Sequence, residues 1–257
     1  MTHTGALRFP YILFDLGSTL IYFDSDWSSV MANSLAAATR YLRGAGYQLD
    51  DKAFPAAYHA LIQEYYQKRN DEFVEYTSEY VLRDALQRHS ISIADDEGDA
   101  RHHLREALKH FYAVSQEHWH PEPEAVPVLK ELLARGHRLG IVSNAADDAD
   151  VQVLVDKAEI RPYFDIILTS AVAGVRKPNP LIFQKALAHW GVKPEQAVMV
   201  GDLVSADVVG ANQLGIFSVW ITRRINPNDQ RDLAALHPPK ATIASLSELP
   251  GVLDQWS

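Results

Sequence analysis

Tyr11-Ile12-Leu13-Phe14 is an apolar run that stops abruptly at Asp15. Runs of the same kind recur at Leu139-Gly140-Ile141-Val142, Phe164-Asp165-Ile166-Ile167-Leu168, Ala197-Val198-Met199-Val200 and Phe217-Ser218-Val219-Trp220-Ile221. They are short for helices and too continuously apolar for strands with one wet face. That combination predicts strands buried on both faces of a parallel sheet. All but the first follow an amphipathic helical pattern. Val126, Leu129 and Leu133 fall at i, i+3, i+7 before Gly136, a helix stop. Asn179 before Pro180 reads as an N-cap with proline at the first helical position, and Phe183, Leu187 and Trp190 continue one face up to Gly191. Strand–helix alternation of this kind predicts a doubly wound α/β domain built on a Rossmann-like parallel sheet.

The alternation is interrupted from Ile21 to His120. Helical patterns occupy Trp27–Leu42, Ala56–Lys68, Ser78–His89 and Arg101–Trp119, with no clear buried strand between them. The segment reads as an α-helical insertion after the first strand, with the acidic stretch Asp95–Asp99 as a solvated loop. Pro121, Pro123 and Pro127 mark the return. The expected organisation is an α/β core from residues 1–20 and 121–257 and a helical domain from 21–120. Asn226–Lys240 reads as a surface loop, Ala241–Ile243 as a last strand and Leu246–Leu253 as a last helix.

Composition removes several classes of function. The net charge of −9 argues against a duplex nucleic-acid binder, which needs a basic face. It permits small anionic substrates, because a local field can oppose the overall sign. The absence of cysteine excludes disulfides, thiolate zinc sites and cysteine nucleophiles. No stretch approaches ~18 consecutive apolar residues, so no transmembrane helix or membrane partner is expected. Residues Met1 to Pro10 hold no apolar run of signal-peptide length, and a cytoplasmic location is expected. Oligomeric state is not legible.

Polar groups at the carboxyl ends of parallel strands collect around one crevice. Here those ends carry Asp15, then Ser143 and Asn144, then Asp202, with Lys177 in a loop before the Asn179 cap. Two carboxylates supply hard oxygen ligands for Mg²⁺. A lysine offsets charge on phosphoryl oxygens, a serine donates a hydrogen bond, and one carboxylate oxygen is left to attack phosphorus.

In these residues the sequence resembles the haloacid dehalogenase (HAD)-like hydrolases. Phe14-Asp15-Leu16-Gly17-Ser18-Thr19-Leu20 is similar to the family's first motif, Ile141-Val142-Ser143-Asn144 to its second and Arg176-Lys177-Pro178-Asn179-Pro180 to its third. Val200-Gly201-Asp202-Leu203-Val204-Ser205-Ala206-Asp207 is similar to the fourth, and Gly210-Ala211-Asn212 and Gly215 continue it. The resemblance covers essentially the whole chain, and the insertion resembles the family's helical cap of the first type. It implies a Mg²⁺-dependent hydrolase, a phosphatase of small phosphorylated metabolites working through an aspartyl-phosphate. Asp15 would be the nucleophile and a metal ligand, with the Gly17 carbonyl and Asp202 as further ligands. Ser143 and Lys177 would bind the phosphoryl group. Asp207 would support the metal shell or orient Lys177, and Asn144 would line the substrate pocket.

The first motif departs from the family in two places. Many family phosphatases carry a second aspartate where this chain has Gly17, and general acid–base help is worth ~10²–10⁴-fold. Asp24, Asp26 or an inserted histidine could take the role, or the substrate could have a good leaving group. Ser18 replaces the usual glycine, which puts the local turn in question. The resemblance leaves three alternatives: a 2-haloacid dehalogenase, a phosphonate hydrolase using Lys52 or Lys68 as Schiff base, and a non-catalytic relative. Retention of Asp202 argues against the dehalogenase. His102-His103 and His118-Trp119-His120 do not share helix faces and make poor zinc sites. Trp27, Tyr47, Tyr65 and Tyr66 read as packing or surface residues of the insertion, and Arg223-Arg224 as a solvated pair.

Overall fold

The computed structural model describes residues 7–91 and 98–256. Its strands are β1 (Tyr11–Phe14), β2 (Ile21–Phe23), β3 (Trp119–Pro121), β4 (Arg138–Ser143), β5 (Ile166–Thr169), β6 (Ala197–Gly201), β7 (Phe217–Ile221) and β8 (Ala241–Ile243). Its helices are α1 (Trp27–Gly44), α2 (Ala53–Glu72), α3 (Ser78–Arg88), α4 (Gly98–Gln116), α5 (Ala125–Ala134) and α6 (Asp148–Lys157). The series continues with α7 (Ser170–Ala173), α8 (Pro180–Trp190), α9 (Val209–Leu214), α10 (Arg231–Leu236) and α11 (Leu249–Gln255).

Six strands form one sheet in the order β5-β4-β1-β6-β7-β8, parallel at every pairing. The α/β expectation holds, and the apolar runs are buried on both faces as their composition requires. β1 lies between β4 and β6, where the strand order reverses. Phe14 stands level with Ile141 on one side and Val200 on the other. Asp15, Ser143 and Asp202 therefore leave the sheet at the same edge, the position where doubly wound sheets bind ligands.

The chain divides into two compact units. The first comprises Met1–Phe23, His120–Ala145 and Val155–Ser257 and contains the six-stranded sheet. The second comprises Asp24–Trp119 and Ala146–Leu154. Its helices bury one face each: α1 turns Val30, Ser34, Leu35, Ala38, Thr39 and Leu42 inward, a helical spacing. Asp26 caps α1 by accepting from the Ser29 amide at 2.8 Å, and Thr77 caps α3 in the same way from Tyr80. Leu82, Leu86 and Leu104 fill the middle of this helical core. Ala146–Leu154, read from sequence as α/β core, packs with this second unit. The Ala146 carbonyl accepts from the Ser78 amide at 2.9 Å, and Asp150 accepts from Gln116 at 2.9 Å.

Five details differ from the sequence reading. β2 and β3 pair in a two-stranded ribbon, although three-residue strands carrying histidine and proline give almost no pattern. In α5 the buried face is Ala125, Val128, Leu129 and Leu132, while Leu133 is exposed, so the true stripe is rotated from the expected one. Asn226–Lys240 contains a 3-10 turn, Pro227–Gln230, and α10 rather than a bare loop. The last helix is a 3-10 turn over Leu246–Glu248 followed by α11. Of Asp95–Asp99, Asp99 lies in the first turn of α4, and Asp95–Glu97 lies outside the described residues.

Candidate active site

β1 delivers Asp15 to the edge of the sheet, and the Asp15 amide donates to the Val200 carbonyl at 2.8 Å. The chain then turns back tightly: the Leu16 carbonyl accepts from Leu20 at 2.9 Å and from Ile21 at 3.0 Å. Leu16 and Leu20 are buried and anchor the turn. Ser18 closes it at φ +58°, in the left-handed region. The family's glycine there is thus replaced without loss of the turn, at a cost of about 1–2 kcal/mol in backbone strain.

Lys177 is the hub of the site. Its Nζ lies 2.6 Å from Asp15 Oδ1 and 2.7 Å from Asp207 Oδ1, and the residue is 3% exposed. Burial works against the ammonium charge, but the two carboxylates together outweigh it and hold the lysine above its ordinary pKa. The loop that presents Lys177 is clamped by Asn144. The Asn144 side chain accepts from the Lys177 amide at 2.7 Å and donates to the Lys177 carbonyl at 2.9 Å. Asn144 was expected to line a substrate pocket. Its amide is committed at both ends to the lysine's backbone.

Asp207 is fixed just as closely. Its Oδ2 accepts from the Leu203 amide at 3.0 Å, and its backbone amide donates to the Leu203 carbonyl at 2.7 Å. Gly201 is required beside it, since a Cβ there would fall 2.2 Å from Asp207 Cγ. Asp207 opens no ordinary helix: it sits in the π-turn Val204–Val208 that precedes α9.

Asp15, Asp202 and Asp207 each offer a carboxylate oxygen, and these lie within 4.8 Å of one another. Burial, followed by the charges of Asp15 and Asp207, pushes the Asp202 carboxyl up to about 8. Burial also raises Asp207, to about 6, against the opposing pull of Lys177. Three carboxylates against one ammonium leave a formal surplus of two negative charges when all are ionised. That surplus, offered by hard oxygens, suits a divalent cation such as Mg²⁺. Among the described residues, this is the one cluster of three or more acidic or imidazole side chains close enough to share a metal ion.

The remaining expected residues fall as follows. Ser143 is buried at the end of β4, level with Thr169 of β5. Gly17 forms a β-bridge with Ile21 and brings no side chain. Asp26 is taken up by the α1 cap, and Asp24 lies 3.5 Å from His118. His120 packs on the Tyr22 ring and His103 contacts the Tyr47 hydroxyl. Lys68 lies over the rings of Tyr65 and Tyr76. Arg223 and Arg224 are not a free solvated pair, since both guanidinium groups bind the buried Glu122 carboxylate.

Three supports escaped the sequence reading. The Ser170 hydroxyl both accepts from the Ala145 amide and donates to its carbonyl, which pins the chain just after Asn144. The Trp220 indole and the Gln230 side chain both donate to the Asp202 carbonyl, at 2.9 and 3.1 Å. No local pattern marks them, because each acts across a long stretch of chain.

A family model described as a haloacid dehalogenase-like hydrolase matches residues 9–215. The chain belongs to the haloacid dehalogenase-like hydrolases. A phosphoserine phosphatase of Thermus thermophilus is 34% identical over 151 residues, covering 59% of this chain and 57% of that protein. A glyceraldehyde 3-phosphate phosphatase of Methanothermobacter thermautotrophicus is 30% identical over 133 residues, covering 52% of this chain and 58% of that one. The match thus spans little more than half the length of these curated relatives. Among solved structures, a 2-haloacid dehalogenase from Pseudomonas syringae pv. Tomato DC3000 superposes with a TM-score of 0.70 at 25% identity, covering 97% of this HAD-like chain and all of that one. No helix among the described residues is long and apolar enough to cross a membrane.

Proposed function

We propose that this HAD-like hydrolase is a Mg²⁺-dependent phosphatase of small phosphorylated metabolites, with Asp15 as the nucleophile, working in the cytoplasm. The observation that carries the reading is the buried group of Asp15, Asp202 and Asp207 around the Lys177 ammonium. The names of the two relatives, both phosphatases of small phosphate esters, support the substrate class.

In this reading Asp15, Asp202 and the Gly17 carbonyl would hold Mg²⁺. Asp207, held by Lys177 and the Leu203 amide, would support that site while anchoring Lys177. Bound Mg²⁺ supplies positive charge against the phosphoryl oxygens. Lys177 fixes the Asp15 carboxylate through its 2.6 Å contact and offsets charge on the same phosphoryl group. Ser143 donates a hydrogen bond to it. An Asp15 oxygen attacks phosphorus, the P–O bond to the leaving group breaks, and an aspartyl-phosphate results. Water then attacks phosphorus and returns Asp15 as a carboxylate. Gly17 cannot protonate the leaving oxygen, so the reading favours substrates whose leaving group departs readily or protonation by another group of the chain.

A panel of phosphate monoesters, assayed with Mg²⁺ and with chelator, tests this. Mg²⁺-dependent phosphate release that Asp15→Asn abolishes is the expected result. A folded, Mg²⁺-binding protein that turns over no member of a broad panel would overturn it.

A second reading, 2-haloacid dehalogenase, draws on the likeness to the Pseudomonas syringae enzyme. Asp15 would then displace halide from carbon without a metal. Burying Asp202 and Asp207 beside Asp15 costs electrostatic free energy that a divalent cation would offset and a metal-free reaction would not. Halide release that persists in chelator would decide for it.

A further inference from the structure

The Asp202 carboxylate is crowded by two like charges, so something must keep its loop from relaxing away from them. The backbone supplies the hold from its other side. The Asp202 carbonyl accepts from the Trp220 indole at 2.9 Å and from Gln230 Nε2 at 3.1 Å. Gln230 Oε1 in turn accepts from the Val204 amide at 2.6 Å. One side chain therefore bridges the two peptide units that flank Leu203, donating to the first and accepting from the second. Apolar packing backs the bridge: Ile225, Leu233 and Ala234 lie against Val204, Val208 and Trp220.

Gln230 ends the 3-10 turn Pro227–Gln230 and α10 follows it at once. This stretch forms a strap behind the Asp202–Asp207 loop. It lies outside residues 9–215, the part matched by the family model. From the geometry we infer that Gln230, with Trp220, is a positioning residue that pre-sets the Asp202 loop for a divalent cation. The inference rests on the metal reading proposed above. Its physical basis is that partners of a ligand's own backbone or side chain set its orientation before the ion arrives, and their loss typically costs 10–100-fold in affinity.

Gln230→Met keeps the length and bulk of the side chain and removes both hydrogen bonds. Calorimetric titration of the metal-free protein with Mg²⁺ alone is expected to show about tenfold weaker binding than the parent. Hydrogen exchange on the same metal-free samples is expected to speed up across Gly201–Val208 and to stay unchanged in β1 and β4. Should Gln230→Met perturb β1 and β4 as well, Gln230→Glu takes its place. That variant keeps an acceptor for the Val204 amide, replaces the donor to Asp202 by an anionic oxygen that repels its carbonyl, and carries the same tenfold expectation. Mg²⁺ affinity within twofold of the parent in the folded variant overturns the inference. A parent that binds no Mg²⁺ overturns the metal reading itself and this inference with it, so the two failures are distinguishable.

Discussion

Replacing Lys177 by methionine isolates the electrostatics of the site. The stem keeps nearly its length and apolar volume, so packing changes little, while the one ammonium among three carboxylates disappears. Lys177 is 3% exposed and Asp207 1%, so solvent cannot replace the lost charge. Removing one partner of a buried ion pair costs about 3–5 kcal/mol. Partial protonation of the carboxylates can lower that figure, and it gives the loss a definite pH signature. Asp202 and Asp207 already sit at about 8 and about 6, above the ordinary 3.8, and Lys177 pulls both downward. Without it both rise further. A carboxyl whose folded pKa is raised penalises the fold above its unfolded pKa, with a penalty that grows until pH reaches the folded value. The variant's deficit from this source therefore opens above about pH 6, is still growing at pH 8, and fades on acidification below pH 6. Urea unfolding in chelator, repeated at half-unit pH steps, measures it. Mg²⁺ at about 100 times its Kd is expected to return about 2.7 kcal/mol by mass action. A deficit below about 1 kcal/mol at pH 8, or one independent of pH, would refute the claim that these carboxylates are held together against their charge.

Gly201→Ala puts a methyl group where Asp207 stands, at 2.2 Å from its Cγ, and is expected to weaken Mg²⁺ binding and lower stability by about 1–3 kcal/mol; an unchanged melting temperature and affinity would count against the packing described. Asp150→Asn is expected to stabilise the protein at pH 8 and not at pH 4. Burial chiefly raises Asp150 to about 7, so its ionised form opposes folding increasingly from about pH 4 to pH 7. Its residual exposure trims the gain to about 1–2 kcal/mol, and an equal effect at both pH values would contradict this origin. Glu122→Ala leaves the Arg224 guanidinium without its carboxylate while Arg223 keeps Glu124, and is expected to cost about 1–3 kcal/mol in thermal or urea unfolding; a loss under about 0.5 kcal/mol would show that the pairs contribute as surface bridges do.

The parallel sheet was legible because a strand buried on both faces leaves an unbroken apolar run, and three of the five runs end at a candidate site residue: Asp15, Ser143 and Asp202. The α5 face was misjudged for a specific reason. Val126, Leu129 and Leu133 satisfy a helical period, but so does Ala125, Val128, Leu129 and Leu132, and small Ala125 carries little weight in a hydrophobic count. Asn144 and Asp207 were singled out by motif, but their partners, a distant backbone and a distant ammonium, come near only through the fold. The strap from Asn226 to Leu236 was unreadable because its prolines and polar residues imitate a loop, and its worth lies in contacts made elsewhere. Arg224 and Glu122 illustrate the same limit: neither charge announces a partner 102 residues away.

The central position of β1 also sets the order in which the molecule can be assembled during synthesis. Tyr11 must pair with Arg138 on one side and with Ala197 on the other, so β1 stays open at both edges until two much later segments have been made. Until then an apolar strand waits with both faces open, in the company of the helical segment made after it, and long-range pairing of this kind is slow and exposed to aggregation. Asp15 thus acquires its surroundings only when the chain has passed Val200, and a truncated chain lacking β6 would carry the residue without the site.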